Sequence, residues 1–436
     1  MITPSFGLTA TERVLPRLAL DFTTASLDPR ITFTRTGNTA TRVNSSGLVE
    51  LVNADIARFD FNPVTLACKG LLIEEARTNL ITYSDDFRNT ADAGSTRPWS
   101  YANVTLSADQ IVSPDGTQNA DQLVETTVNS GHAIQQSPTI ADNTIYTNSV
   151  YAKKGSKSIF MLAIITKAGG QRGRLFDLNS GTSSALTASG WTTAPTGFGI
   201  EDAGNGWYRC WVSNDVGTGV NTNNFRIYMV QDAATVNFAG STDNNIYIWG
   251  AQTELGAFFT SYIPTVASQV TRTADVATMT GTNFSDWYNQ TEGTVVADYT
   301  CNIVKNVGTL TGYVWCIADG VSASTSSLIA LQARARINQV YGWYSTAGGG
   351  VDESIILDTT TDSGKVSMGF KPTNKVVGSA NALTPVTGVT NQQAMTATLM
   401  AIGSINDGTN RLNGTIRKLF YYPQKLTNNE IQAFSK

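Results

Sequence analysis

The sequence predicts an all-β protein of tandem β-sandwich modules, closed by one short C-terminal helix. Three observations predict it. Charged residues make up only 15% of the 436 positions, while glycine alone supplies 38; this balance favours strands and turns over long solvated helices. Short runs rich in β-branched and aromatic residues recur along the chain, separated by Asp-Pro, Ser-Ser-Gly, Asn-Pro and Gly-Asn-Gly signals. Only the tail, residues 426–436, carries a helical pattern.

Between Leu18 and Leu80, RLALDF, RITFTR, GLVELV, ARFDF and GLLIEE read as strands at a spacing of about ten residues. From Asn79 to Thr265 the strands lengthen. YTNSVYAKKG (146–155) ends in a Lys-Lys-Gly turn, and SIFMLAIITK (158–167) is apolar throughout, as a strand covered on both faces must be. GIEDAGNGWYRCWVSND (199–215) reads as a hairpin, with Gly204-Asn205-Gly206 tolerating positive φ in the turn. Beyond that turn Tyr208, Cys210 and Val212 point one way, and Trp207, Arg209 and Trp211 the other. FRIYMVQD and NIYIWGAQ are two further strands. PTVASQVTRTADVATMTGTN (264–283), small and polar, is the expected boundary. After it come eight strand-like runs, from GTVVADYT to GTIRKLFYYP, and then the helix. Thr427 is its N-cap, Glu430 completes a capping box, and Ile431 and Phe434 form an apolar pair.

Composition excludes several function classes. The net charge is −4 and there are no basic runs, so neither nucleic acid nor an anionic membrane surface is an expected partner. No apolar run approaches the ~18 residues needed for membrane insertion, and the N-terminal stretch lacks the pattern of a secretory signal. Cys68, Cys210, Cys301 and Cys316 show no metal-site spacing and read as free thiols, although Cys301 and Cys316 fit a hairpin pair. His132 is the one histidine, expected in a loop or at a strand edge, and it leaves few nucleophile–imidazole relays to consider. Nucleophile elbows, phosphate loops and dinucleotide fingerprints are absent. So is the Glu-x-Asp-x-x-Glu pattern of many sandwich glucanases, and Asp298 with Asp319 is a pairing nothing in the sequence selects. The expectation is a protein that is not an enzyme. STDNNIY and SINDGTN offer oxygen ligands for calcium, but neither matches an EF-hand loop.

IYIWGAQTELGAFFTSYIPT (246–265) poses a sharper choice. Trp249 beside Gln252 and Glu254 fits a sugar platform next to a general acid, or the closing strand of a sandwich. NLITYSDDFRNT, RPWS, DGTQNADQLVE, YTNSVYAKKG, GNGWYRCWVS, this stretch and VTRTAD together resemble a module common in tailed-phage virion proteins, which is similar to a jelly-roll carbohydrate-binding domain. Residues 284–436, ending in NRLNGTIRKLFYYPQKLTNNEIQAF, resemble a concanavalin A-like, laminin-G-type sandwich. LALDFTTASLDPRITFTRTGNTATR and GLLIEEARTNL are similar to the N-terminal part of such phage proteins. The resemblance implies an N-terminal β attachment region (1–79), a jelly-roll carbohydrate-binding-like module (80–270) and a concanavalin A-like lectin module (271–436). It makes 246–265 the closing strand, with Glu254 a structural hydrogen-bonding group and Tyr262 and Pro264 pinning the exit. It implies no cofactor. The Asp-Asp pair that helps hold a structural calcium in such binders is replaced here by Trp249-Gly250-Ala251-Gln252.

The resemblance further implies a virion structural protein, assembled in the bacterial cytoplasm and displayed on the particle as a tail fibre, head fibre or decoration subunit. Its expected partners are other capsid or tail proteins and bacterial surface glycans, and its expected state is a homotrimer. Two alternatives stand beside adhesion: a capsid cement protein that binds no sugar, and a polysaccharide-degrading enzyme. Residues 1–17 read as an extended arm that docks on the particle. Flat rings flanked by hydrogen-bonding groups are the chemistry of sugar recognition. Trp207, Arg209 and Trp211 are one candidate set; Trp343 and Tyr344, beside a glycine run, are the other. The competing reading of the first set has both rings packed against a neighbour, with Arg209 neutralised by Asp202 or Asp215.

Overall fold

In the computed structural model, the described residues are 15–436 except 90–96, 192, 221–224, 302–310, 321–326, 335–338, 346–350, 359–362, 372–373 and 390–394. They form two antiparallel β-sandwiches, one inserted into the other. The all-β expectation holds, and every strand-like run named above forms a strand.

The outer sandwich is built from both ends of the chain. One sheet runs Val386–Thr387, Val377–Ala380, Gly364–Phe370, Gly293–Cys301, Gly414–Tyr422, Cys68–Ile73 and Arg58–Phe61, with Leu18–Asp21 also paired to Gly414–Tyr422. The facing sheet runs Thr32–Thr34, Val276–Thr280, Leu399–Ile402, Thr311–Ala318, Leu328–Arg334, Gln339–Ser345 and Val351–Asp358. Between them Leu18, Leu20, Phe33, Phe59, Leu71 and Ile73 share one core with Met279, Val295, Trp315 and Leu419. The expected attachment region over 1–79 is therefore not a separate unit. Strands of three to six residues cannot bury an apolar face alone, and here they complete the two C-terminal sheets. Residues 1–14 of the expected docking arm lie outside the described residues.

The inserted sandwich pairs a sheet of Gly197–Asp202, Trp207–Asp215, Ile145–Lys154, Asn245–Leu255, Gln118–Glu125 and Val104–Val112 with a second one. That one runs Thr182–Ser184, Gln171–Asp177, Ile159–Ile165, Phe225–Met229, Asn129–Gln136 and Asn237–Ala239, with Ser100–Ala102 on Asn129–Gln136. Ile159–Ile165 is covered on both faces as expected: Phe160, Leu162 and Ile164 enter the central core, and Met161, Ala163 and Ile165 a second cluster. The strands on either side of the insertion, Arg77–Asn79 and Val270–Arg272, pair with each other, Arg77 opposite Arg272. Both ends of the inserted module thus leave the outer sandwich at one point.

The C-terminal helix spans Asn428–Phe434 with the Thr427–Glu430 capping box formed and Ile431 buried; Phe434 packs on Tyr422 with ring centres 5.0 Å apart. A helical turn at Thr282–Ser285, not foreseen, is held by burial of Phe284 against Trp287 and Tyr288. All four cysteines are free. His132 is not in a loop but fully buried in a strand, with Nδ1 2.7 Å from Asn103 O and Nε2 3.1 Å from Phe238 O. No helix among the described residues is long and apolar enough to cross a membrane.

Candidate functional site

The hairpin at 197–215 sets one wall of the site. Gly204, Asn205 and Gly206 all adopt positive φ, and the register places Glu201 opposite Arg209. Alternation then sends Cys210 and Val212 into the central core and Trp207, Arg209 and Trp211 to the outer face of the sheet. That face is covered. Trp207 is 1% exposed, donates from Nε1 to Val112 O at 3.1 Å, and packs with Val49, Tyr151, Trp249 and Tyr262. Trp211 lies against Phe259, ring centres 5.8 Å apart. Neither indole is a free platform.

A buried ionic network joins the sandwiches beneath this face. Arg58 donates to Glu74 Oε2 at 2.8 Å and to Asp275, and Arg35 reaches Asp275 Oδ1 at 3.3 Å. Arg272 sits 3.5 Å from Glu74 Oε2. Ser261 donates to Glu74 from its amide at 2.8 Å and its hydroxyl at 2.7 Å. Burial alone would raise the Glu74 pKa, but Arg272 and Arg58 overcome it and hold the carboxyl at about 2. GLLIEEARTNL meets SYIPT and VTRTAD here, 187 residues separating Glu74 from Ser261. Glu254 belongs to the same joint. It is fully buried and accepts from Gln252 Nε2, Thr260 N and Thr260 Oγ1, each at 2.8 Å. It is a structural acceptor, and the 246–265 stretch is the closing strand with its exit. Tyr262 secures that exit through a 2.6 Å hydroxyl contact with Ser84.

Above the network a cleft of about 480 Å³ opens between the sandwiches. One side is Asp60, Asn62, Pro63, Val64 and Lys69 of the outer sandwich; the other is Tyr151, Glu201, Asp202 and Arg209; Phe259–Tyr262 close the end. Asp60 is held by Lys69 at 2.9 Å and by the Val43 amide at 2.9 Å. Burial would lower the Lys69 pKa, yet Asp60 raises it. Glu201 keeps solvent contact within the cleft. The protein crowded around its carboxyl raises its pKa, against the lowering pull of Arg209 and Lys69. Arg209 is 6% exposed, lies 4.3 Å from the Phe259 ring centre and 5.2 Å from that of Tyr151, and donates to Ser149 Oγ at 3.2 Å.

Of the sequence-derived candidates, then, Arg209 alone lines the cleft, while Trp207 and Trp211 build its support. Arg209 has no ion pair with Asp202 or Asp215. Those carboxylates accept instead from the amides of Gly204 at 2.9 Å and Gly217 at 2.8 Å. Trp343 and Tyr344 do not form a joint platform, because adjacent strand residues face opposite ways. Tyr344 is in the outer sandwich core, and Trp343 packs on Tyr313 with ring centres 5.7 Å apart; the glycine run beside them lies outside the described residues. Asp60, Lys69, Glu201 and Phe259 were not among the candidates read from the sequence. Glu201 was within reach, since the turn at 203–206 fixes its register with Arg209. Among the described residues no group of three or more His, Cys, Asp or Glu is placed to hold a metal.

No family model matches the chain, and no curated protein does. Among solved structures, the Ruminococcus gnavus IT-sialidase CBM40 is similar over 34% of this chain and 84% of its own, at 12% identity and a TM-score of 0.28. Domains LG4-5 of the mouse laminin alpha1 chain are similar over 70% of this chain and 90% of their own, at 9% identity and a TM-score of 0.21.

Proposed function

We propose that the protein binds glycans without turning them over, in the cleft between its two sandwiches, and that it does so on the surface of a phage particle. The composition of the cleft carries the sugar-binding part. Donors (Arg209, Lys69, Asn62) and an acceptor (Glu201) line it beside the apolar Phe259, Pro63 and Val64. Hydroxyl-rich ligands with apolar ring faces ask for such a mixture. A binding rather than hydrolytic role is favoured because Asp60 and Glu74 are each tied to cations and Asp202 accepts from the Gly204 amide, which leaves Glu201 alone among the lining carboxyls. Hydrolysis needs carboxyls on opposite sides of the scissile bond. The test is a glycan array probed with the full chain and with Val64→Trp, a lip residue 55% exposed, beside a turnover assay on bacterial polysaccharide. Wild-type binding lost in a folded Val64→Trp protein supports the cleft; silence across the array removes the adhesive reading, and released sugar removes the non-catalytic one.

The virion part rests on the motif resemblance, whose residues form the joint between the sandwiches. A trimer assembled with capsid or tail proteins is inferred from the same resemblance, and labelled electron microscopy of particles tests it. The cement reading has one observation in its favour: Trp207 and Trp249 are spent on a buried cluster with Val49 and Tyr262 at the joint. A subunit lying flat over capsomer seams favours cement, and one standing off the surface favours adhesion.

A further inference from the structure

Arg209 is an exception among the buried arginines. Arg35, Arg58, Arg77 and Arg272 each reach a carboxylate. Arg209 is equally buried, but among the described residues no carboxylate lies within ion-pair distance of it. A buried guanidinium is costly unless something satisfies it, and this one lines the cleft. Directly opposite in register on the neighbouring strand is Glu201, on the same face and exposed, its carboxylate beyond contact. The remaining charges of the cleft cancel locally: Asp60 with Lys69, Arg42 with Glu50, Glu74 with Arg58 and Arg272. One cation, Arg209, is left without an ion pair across from one anion, Glu201; Asp202 follows Glu201 on the strand, lies opposite Tyr208 and so belongs to the other face.

We infer that the cleft selects a neutral sugar residue, held by hydroxyls that accept from Arg209 and donate to Glu201, and turns away sugars that carry a carboxylate. The inference rests on the glycan-binding reading above. A hydroxyl both donates and accepts, so adjacent hydroxyls of one sugar ring satisfy a guanidinium and a carboxylate that do not reach each other. A carboxylate only accepts. It would satisfy Arg209 while adding a second negative charge beside Glu201, in a partly enclosed space where like charges repel strongly. Phe259, stacked against the guanidinium, supplies the apolar surface on which a ring face rests.

The experiment measures binding of the full chain to matched glycans that differ in a carboxylate: galactan against polygalacturonate oligomers, and lacto-oligosaccharides against their sialylated forms. Wild type is expected to bind the neutral member of each pair about tenfold tighter or more. Glu201→Gln, on an exposed side chain, should leave the fold intact and shrink that preference as the carboxylated member gains. Arg209→Lys, checked by melting, should weaken both members together. A wild type that prefers the carboxylated member, or a ratio unmoved by Glu201→Gln, overturns the inference while leaving glycan binding standing. No binding to any glycan overturns both.

Discussion

Arg58 and Glu74 form an ion pair of 2.8 Å with side chains 0% and 6% exposed, at the point where the inserted sandwich leaves the outer one. Glu74 also serves Arg272 and both donors of Ser261. Removing it takes away the carboxylate beside buried Arg272 and leaves buried Arg58 only the carboxylate of Asp275. Glu74→Ala should cost about 3–5 kcal/mol in denaturant unfolding and loosen both sandwiches together. Unfolding indistinguishable from wild type would mean that the network does not hold the joint.

Two carboxyls give stability opposite pH limbs. The folded pKa of Glu74 is about 2, below the ordinary glutamate value of 4.5. Its contribution is therefore complete above about pH 4.5 and is lost as pH falls toward 2; the full effect is about 3 kcal/mol. Asp121 is 1% exposed, and its pKa rises to about 7. Burial is the main cause, opposed by the amides of Phe87 and Asp109 and reinforced by the charges of Asp86 and Asp109. Its folded pKa lies above the unfolded one, so its contribution is present below about pH 4 and is lost as pH rises through 7. Thermal melts across pH should show both limbs, with Glu74→Gln flattening the acid one and Asp121→Asn the neutral one.

Gly204 joins the hairpin tip to the outer sandwich. Its φ is +78°, and a Cβ there would lie 2.7 Å from Pro63 O. Gly217 has a comparable φ of +62° with nothing within 4 Å of a Cβ. Both Gly→Ala changes carry the backbone cost of about 1 kcal/mol, but only Gly204→Ala also pushes on the joint. It should destabilise by about 1–3 kcal/mol more than Gly217→Ala. Equal melting of the two variants would argue that the hairpin tip does not bear on Pro63.

Trp249 is 2% exposed between Tyr151 and Tyr262, with ring centres at 5.3 and 4.7 Å, while Ile248 fills the opposite core. Trp249→Ala should cost about 3–5 kcal/mol. Unchanged stability would put the indole at the surface and restore it as a sugar platform.

The strands and the hairpin were legible in the sequence because alternation and turn chemistry are local: Gly204-Asn205-Gly206 fixes which of Trp207, Cys210 and Trp211 share a face. What covers a face is not local. The pairing of Leu18–Asp21 with Gly414–Tyr422 spans nearly the whole chain, and nothing within either segment announces it. The same holds for the site. Arg209 was readable as a polar residue on a strand face and Glu201 as its cross-strand neighbour. Asp60, Lys69 and Phe259 reach the cleft only because one sandwich is inserted into the other. Trp343 and Tyr344 misled for a simpler reason, since consecutive strand residues cannot share a surface.

On the proposed reading, a glycan sits in the cleft between the sandwiches. Hydrogen–deuterium exchange of the full chain, with and without a saturating digest of bacterial surface polysaccharide, tests it most directly. Glycan binding in the cleft predicts protection confined to the segments that line it, 41–49, 60–69, 201–203 and 259–262. Protection centred on 339–345, or none anywhere, would contradict it.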